Sequence, residues 1–167
     1  MKRSTTVVDG VLGGAAGAGV MSVLRSAARR WGVIDVTPPQ ETKRWLSRQS
    51  GAAPGSPGTH HLADALIHLA VGVTGGALYG ALMNRGRRPS LASGALFGLG
   101  VWTAAFAAIA PALGITRPPW RGTWPEAAVN VAAHLLYGTS IALVAGELDR
   151  QAAGSGAATR LLRGRVG

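Results

Sequence analysis

The sequence predicts an all-α membrane protein, four spanning helices packed as a bundle of two parallel-repeat helix pairs, and three observations carry that prediction. Apolar residues are gathered into four blocks of span length, the basic residues lie almost entirely between and outside the blocks, and the second half of the chain repeats the plan of the first.

The blocks are residues 7–24, 62–83, 91–113 and 125–146, containing 18, 22, 23 and 22 residues. At a rise of about 1.5 Å per residue, roughly 22 residues reach about 33 Å, enough to cross a hydrocarbon core of about 30 Å. A barrel strand would alternate apolar and polar residues, whereas these blocks are apolar on every face. Each block therefore reads as a helix, which satisfies its backbone groups internally in lipid. The ionisable residues inside the blocks are Asp9, Asp64, His68, Glu126 and His134.

The first block follows Lys2 and Arg3 and precedes Ser26-Ala27-Ala28, a pattern shared with secretory signal peptides. Asp9, Arg25 and the run of glycines fit a signal peptide poorly, so the block is expected to stay as the first span. Within it, Gly13, Gly17, Gly19, Val20 and Ser22 match Gly94, Gly98, Gly100, Val101 and Thr103 of the third block at an offset of 81. Pro-Pro pairs follow both, at Pro38-Pro39 and Pro118-Pro119, where fixed φ and a missing N–H end one helix or begin the next. In the second and fourth blocks Asp64, His68, Gly72, Gly76 and Gly80 recur as Asn130, His134, Gly138, Ala142 and Gly146, at a constant offset of 66. Two spans per unit preserve orientation, so the pseudo-twofold axis is expected along the membrane normal, with His68 and His134 at similar depth. Small residues every four positions let backbones approach closely, which is how helices associate in lipid.

The first long connection exceeds its counterpart by 14 residues. Its residues 39–48 can form a short basic interfacial helix with Trp45 and Leu46 toward the acyl boundary, broken by the Gly- and Pro-rich stretch 51–58. Trp120 and Trp124 in the other connection suit a membrane-interface belt. Residues 151–167, rich in Gly, Ala and Arg, are expected to form a basic, flexible tail outside the 1–150 transmembrane domain.

A net charge of +10 from 17 Lys and Arg against 7 Asp and Glu could suggest nucleic acid. The cations do not form a stripe interleaved with stacking aromatics, so no nucleic-acid partner is expected and anionic lipid headgroups fit better. The absence of cysteine excludes disulfides, thiolate metal sites, iron–sulfur clusters and covalent c-type haem. Lys and Arg divide 9 to 8 between the two sides. The short turn with Arg85, Arg87 and Arg88 favours cytoplasmic termini, because the positive-inside rule acts most directly there.

The segment Gly13 to Ser22, the following Trp31-Gly32 and Pro38-Pro39, and His134-Leu-Leu-Tyr137-Gly138 together resemble the YagU-like family of small bacterial inner-membrane proteins. The likeness covers most of the chain in outline and implies a multi-pass inner-membrane protein. It carries over no catalytic residue, and Gln40 stands where the family pattern has a basic residue after the Pro-Pro pair.

Ionisable groups inside a span are costly, which brings Asp64, His68, Glu126 and His134 forward as polar intramembrane candidates together with Asn130. Asp64 and His68 share a helix face and can bond, as can Asn130 and His134, and such a pair could relay protons. The plainer alternative is that both histidines fix packing through interhelical hydrogen bonds. A b-type haem between His68 and His134 would need two imidazoles at one depth and room from Gly72 and Gly138. His60-His61 could touch a metal ion, but no further ligand pattern supports a site. Gly17-x-Gly19 and Gly98-x-Gly100 follow no strand and complete no dinucleotide fingerprint, and Thr139 and Ser140 near His134 make no nucleophile–base–acid set. The sequence thus predicts a scaffold or accessory protein with no enzymatic activity and no cofactor, able to pair as a homodimer or with another membrane protein. A small transporter or proton-coupled channel is the alternative.

Overall fold

The computed structural model describes residues 7–34, 38–51, 57–83 and 88–163, and within them the side chains at 38, 39, 57–64, 153 and 156–163 are not described. Among the described residues all regular structure is helical: α1 (Val7–Arg30), α2 (Pro38–Ser50), α3 (Pro57–Met83), α4 (Leu91–Trp102), a π-helical segment (Thr103–Ile109), α5 (Ala110–Ala112), a 3₁₀ turn (Pro119–Arg121) and α6 (Trp124–Arg163). Four stretches are long and apolar enough to cross a membrane, namely Val7–Arg30, Ala65–Met83, Leu91–Ala112 and Trp124–Ala152.

Chain chemistry sets the helix ends. At the end of α1, Gly32 at φ 68° lets the Val33 N–H turn back to the Ala28 carbonyl at 2.9 Å, closing a Schellman motif. The same device recurs after α5, where Gly114 at φ 69° precedes the Ile115 N–H bonded to the Ala110 carbonyl at 2.9 Å. Helix α4 begins at a capping box: the Ser93 N–H donates to Ser90 Oγ, and the Ser90 N–H donates to Ser93 Oγ. The third span, expected as a helix over 91–113, is helical over Leu91–Ala112 and widens into the π-helical turn along its length. Pro111 lacks the N–H that would bond the Ala107 carbonyl, and its ring crowds that carbonyl. A wider turn just upstream accommodates both effects. Helix α6, 40 residues long, continues past the fourth expected span and through residues 151–163 of the expected tail.

Helix α1 packs against both α3 and α6, and α4 packs against α6. Backbone contact makes these approaches close. A Cβ on Gly14 would strike the Gly72 carbonyl and stand 3.0 Å from the Gly76 Cα, and one on Gly13 would stand 2.9 Å from the Ile141 Cα. Between α4 and α6, a Cβ on Gly94 would strike the Gly138 carbonyl, and one on Gly98 the His134 carbonyl. The interior holds few large side chains: Tyr79 and Ile141 are the largest that are fully buried. Tyr79 ties α3 to α4 through a 2.8 Å hydrogen bond with Ser93 Oγ and an edge-on contact with Phe97, ring centroids 5.2 Å apart. The large aliphatic side chains point outward instead, with Val23 72%, Val71 63%, Leu96 71% and Leu143 55% exposed. Small residues inside and bulky apolar ones outside give the chain the surface of a multi-pass membrane protein, because lipid covers at no cost what water would not.

Candidate polar cluster and basic cleft

The functional candidates gather at one end of the helices, where the two long connections lie. His134 on α6 is buried, its Nδ1 is 2.7 Å from the Asn130 carbonyl oxygen one turn earlier, and its ring meets the edge of Phe106 at 5.0 Å between centroids. The expected bond between the two side chains is thus replaced by one to the Asn130 backbone. The Asn130 amide instead serves two other partners: its Nδ2 donates to the Glu126 carbonyl at 3.1 Å, and its Oδ1 accepts from Arg25 Nη2 at 3.3 Å.

Arg25 is absent from the polar candidates that the sequence singled out, where it entered only as a residue that fits a signal peptide poorly. It lies inside α1, is only 4% exposed, and stacks its guanidinium 6.0 Å from the centre of the Phe106 ring. Its Nε finds no hydrogen-bond partner among the described residues. The one available hint was that a cation at the end of an apolar block has a long stem and can reach inward. The π-helical segment carries Phe106, so the irregular turn helps set the floor on which Arg25 and His134 rest.

His68 on α3 is half-buried, faces the Ala18 carbonyl of α1, and lies within electrostatic range of Arg25 and His134. Its Nε2 is buried with no partner among the described residues. Asp64 precedes it by one turn of α3, and its side chain falls outside the described residues, as do those of His60 and His61. Glu126 stands apart from the histidines: its Oε2 accepts the Thr123 N–H at 3.0 Å, which caps the start of α6.

The residues do not fit a haem between the two histidines. The room expected from Gly72 is taken by Ala18, whose Cβ would be 2.7 Å from an added Gly72 Cβ, and by the Tyr137 hydroxyl, which donates to the Gly72 carbonyl at 2.6 Å. At Gly138 the Gly94 backbone occupies the corresponding space.

The predicted packing positions divide by partner. Gly13 and Gly17 face Ile141 and Tyr137 of α6; Gly72, Gly76 and Gly80 face α1; Gly94 and Gly98 face Gly138, Ala142 and the His134 backbone. Gly146 has only the Pro89 Cβ at 3.8 Å, ordinary contact distance. Gly10, Gly14 and Gly75 belong with these positions although the four-residue spacing did not single them out. All of these but Gly146 are thus in close contact with another helix of the same chain, while Gly19 and Gly100 face open space.

Beside the polar cluster opens a cleft of about 750 Å³ between α2, the end of α4 and the connection to α6. Arg44, Arg48, Arg117 and Arg121 line it against Glu41 and Glu126, while Phe106 and Asn130 join it to the polar cluster. Trp45, expected at the acyl boundary, donates its indole N–H to the Leu113 carbonyl at 2.9 Å and fastens α2 to the opposite connection. Leu46, Trp120 and Trp124 are exposed, as membrane-interface residues would be. Burial and the neighbouring Glu126 carboxylate push the Glu41 carboxyl above its ordinary value, against the pull of Arg44 and Arg117.

Comparison with protein-family models, curated proteins and solved structures finds no match to this chain.

Proposed function

We propose that this chain is a non-catalytic scaffold or accessory protein of a bacterial-type inner membrane, acting in envelope homeostasis with both termini in the cytoplasm. The observation that carries this reading is the direct backbone contact at Gly14, Gly94, Gly98 and Gly138, which fills the interior with helix and leaves little room to move. Tyr137 at its core ties α6 to α3, and Arg25 of α1 reaches α6 through a single 3.3 Å bond to Asn130. The resemblance to the YagU-like family supports the same membrane assignment.

Two parallel-repeat helix pairs, α1/α3 and α4/α6, belong to this proposal. Gly14 and Ala18 meet Gly72 and Gly76 as Gly94 and Gly98 meet Gly138 and its neighbours one turn either side. That equivalence sets the first helices 80 positions apart, the spacing of the Pro-Pro pairs, in place of the 81 at which the letters match best.

A proton-coupled channel or small transporter is the competing reading, favoured by the buried His68 Nε2 and Arg25 Nε, which have no hydrogen-bond partner among the described residues. The deciding experiment reconstitutes the protein into vesicles holding a pH-sensitive dye. The scaffold reading expects proton flux at the level of empty vesicles, and expects His68→Asn combined with His134→Gln to leave assembly intact. Flux above background that the double variant abolishes would replace it with the channel reading.

A further inference from the structure

We propose that the cleft between α2 and the α4–α6 connection is a binding site for the headgroup of an anionic, phosphodiester-bearing phospholipid. The inference rests on the chain being membrane-embedded, and it adds a defined site to a general preference for anionic lipid.

Four arginines line the cleft as two pairs spaced four residues apart, Arg44 and Arg48 on α2 and Arg117 and Arg121 on the opposite connection. They outnumber the two glutamates of the lining, so the cleft favours an anion, and guanidinium forks suit the planar pairs of oxygens that a phosphate offers. Deeper in the same lining, the indole N–H of Trp102 and the hydroxyl of Thr116 are buried with no hydrogen-bond partner among the described residues. An indole N–H can only donate, so what satisfies it must bring an acceptor. Arg25, nine-tenths buried and with no partner for its Nε among the described residues, lies just behind Phe106 and Asn130 of the lining and adds positive potential from below.

Depth and polarity select a lipid over a soluble phosphate. The cleft sits at one end of the spans, where Trp102 and Phe106 of the third and Glu126, Ala127 and Asn130 of the fourth share its lining with the connection that carries Trp120 and leads to Trp124, residue types suited to headgroup level. Ile34, Ile115 and Phe106 share its lining with the arginines, an arrangement that suits a ligand charged at one end and apolar at the other. The Trp45 bond to Leu113 holds the two arginine-bearing segments together, so the site exists before the ligand arrives.

The test titrates protein purified in a non-ionic detergent with short-chain phosphatidylglycerol, phosphatidylcholine of the same chain length, glycerol 3-phosphate and inorganic phosphate, reading tryptophan fluorescence and thermal midpoint. Phosphatidylglycerol should bind saturably and at least about tenfold more tightly than phosphatidylcholine. Arg117→Gln with Arg121→Gln, and separately Arg44→Gln with Arg48→Gln, should each weaken it by about tenfold or more. Trp102→Phe should weaken it several-fold without lowering the midpoint of the lipid-free protein. Equal affinity for the two lipids would overturn the proposal, as would phosphatidylglycerol binding unchanged in both arginine pairs. Glycerol 3-phosphate or inorganic phosphate binding as tightly as the lipid would make the ligand a soluble phosphate and overturn it too. Retention in carbonate-washed membranes reads the membrane assignment independently, so failure of that premise and failure of the site are distinguishable.

Discussion

Two glycines on one face of α6 receive opposite treatment from their surroundings, and replacing each with alanine tests the packing directly. A Cβ on Gly138 would strike the Gly94 carbonyl and stand 2.7 Å from the Gly98 nitrogen and 2.9 Å from the Gly94 carbonyl carbon. All three are backbone atoms of a helix, so no side chain can swing aside. Restoring ordinary contact of about 3.5 Å from the Gly98 nitrogen alone moves α4 and α6 apart by roughly 0.8 Å, the Gly94 carbonyl oxygen demands more, and a gap of that size already forfeits about a quarter to a half of each dispersion contact along the interface. Overpacking of this kind costs about 1–3 kcal/mol, and rigid backbone on both sides places Gly138→Ala at or above the upper end. Gly146→Ala adds its methyl at 3.8 Å from the Pro89 Cβ, so it keeps the helix-propensity gain of up to about 1 kcal/mol and loses no contact. SDS-induced unfolding from non-ionic micelles, followed by tryptophan fluorescence, measures both. Gly138→Ala should unfold at markedly lower SDS than the parent, and Gly146→Ala at the same or higher. If the two behaved alike, close backbone approach would not be what holds α4 to α6.

Three further outcomes follow from the same contacts. Arg25→Met should be neutral or stabilising by about 1–4 kcal/mol in SDS unfolding, because a buried cation held by one 3.3 Å bond to a neutral amide and one ring contact recovers little of its lost hydration; a large loss of stability would show that the charge is needed for the fold. Gly75→Ala should destabilise because its Cβ would meet the Tyr137 hydroxyl, and Tyr137→Phe should relieve much of that loss, giving a coupling of about 0.5–3 kcal/mol in a double-mutant cycle; strict additivity would refute the contact. The raised Glu41 carboxyl faces Arg44 on its own helix, Arg117 on the connection and Glu126 on α6. Its stabilising contribution is complete below the unfolded value and is lost as pH rises through the higher folded value. Phosphatidylglycerol affinity should therefore increase as pH falls through a window above the ordinary glutamate range, and Glu41→Gln should flatten that profile.

The number of long apolar helices and the short helix between the first two were legible from sequence, because span length, Pro-Pro pairs and a Gly-rich break act locally. The site was legible only in part. His134 and Asn130 stood out as polar residues in an apolar run, but Arg25 did not, since at the edge of a block a cation reads as an interfacial residue until a neighbouring helix is seen to cover it. Trp102 and Thr116 carried no mark at all, because a donor without a partner among the described residues is defined by its surroundings in the fold.

By itself the sequence determined that these residues form apolar helices of membrane-spanning length, since composition and length alone decide whether a helix can bury its backbone in lipid. Which glycines touch which backbone, where the third span widens ahead of Pro111, and how Arg25 comes to lie over Phe106 beneath a basic cleft were decided by tertiary structure. The physical reason is that a Cβ-less surface is sticky on every side. Only the rotation of each helix against its neighbours selects the face that is used.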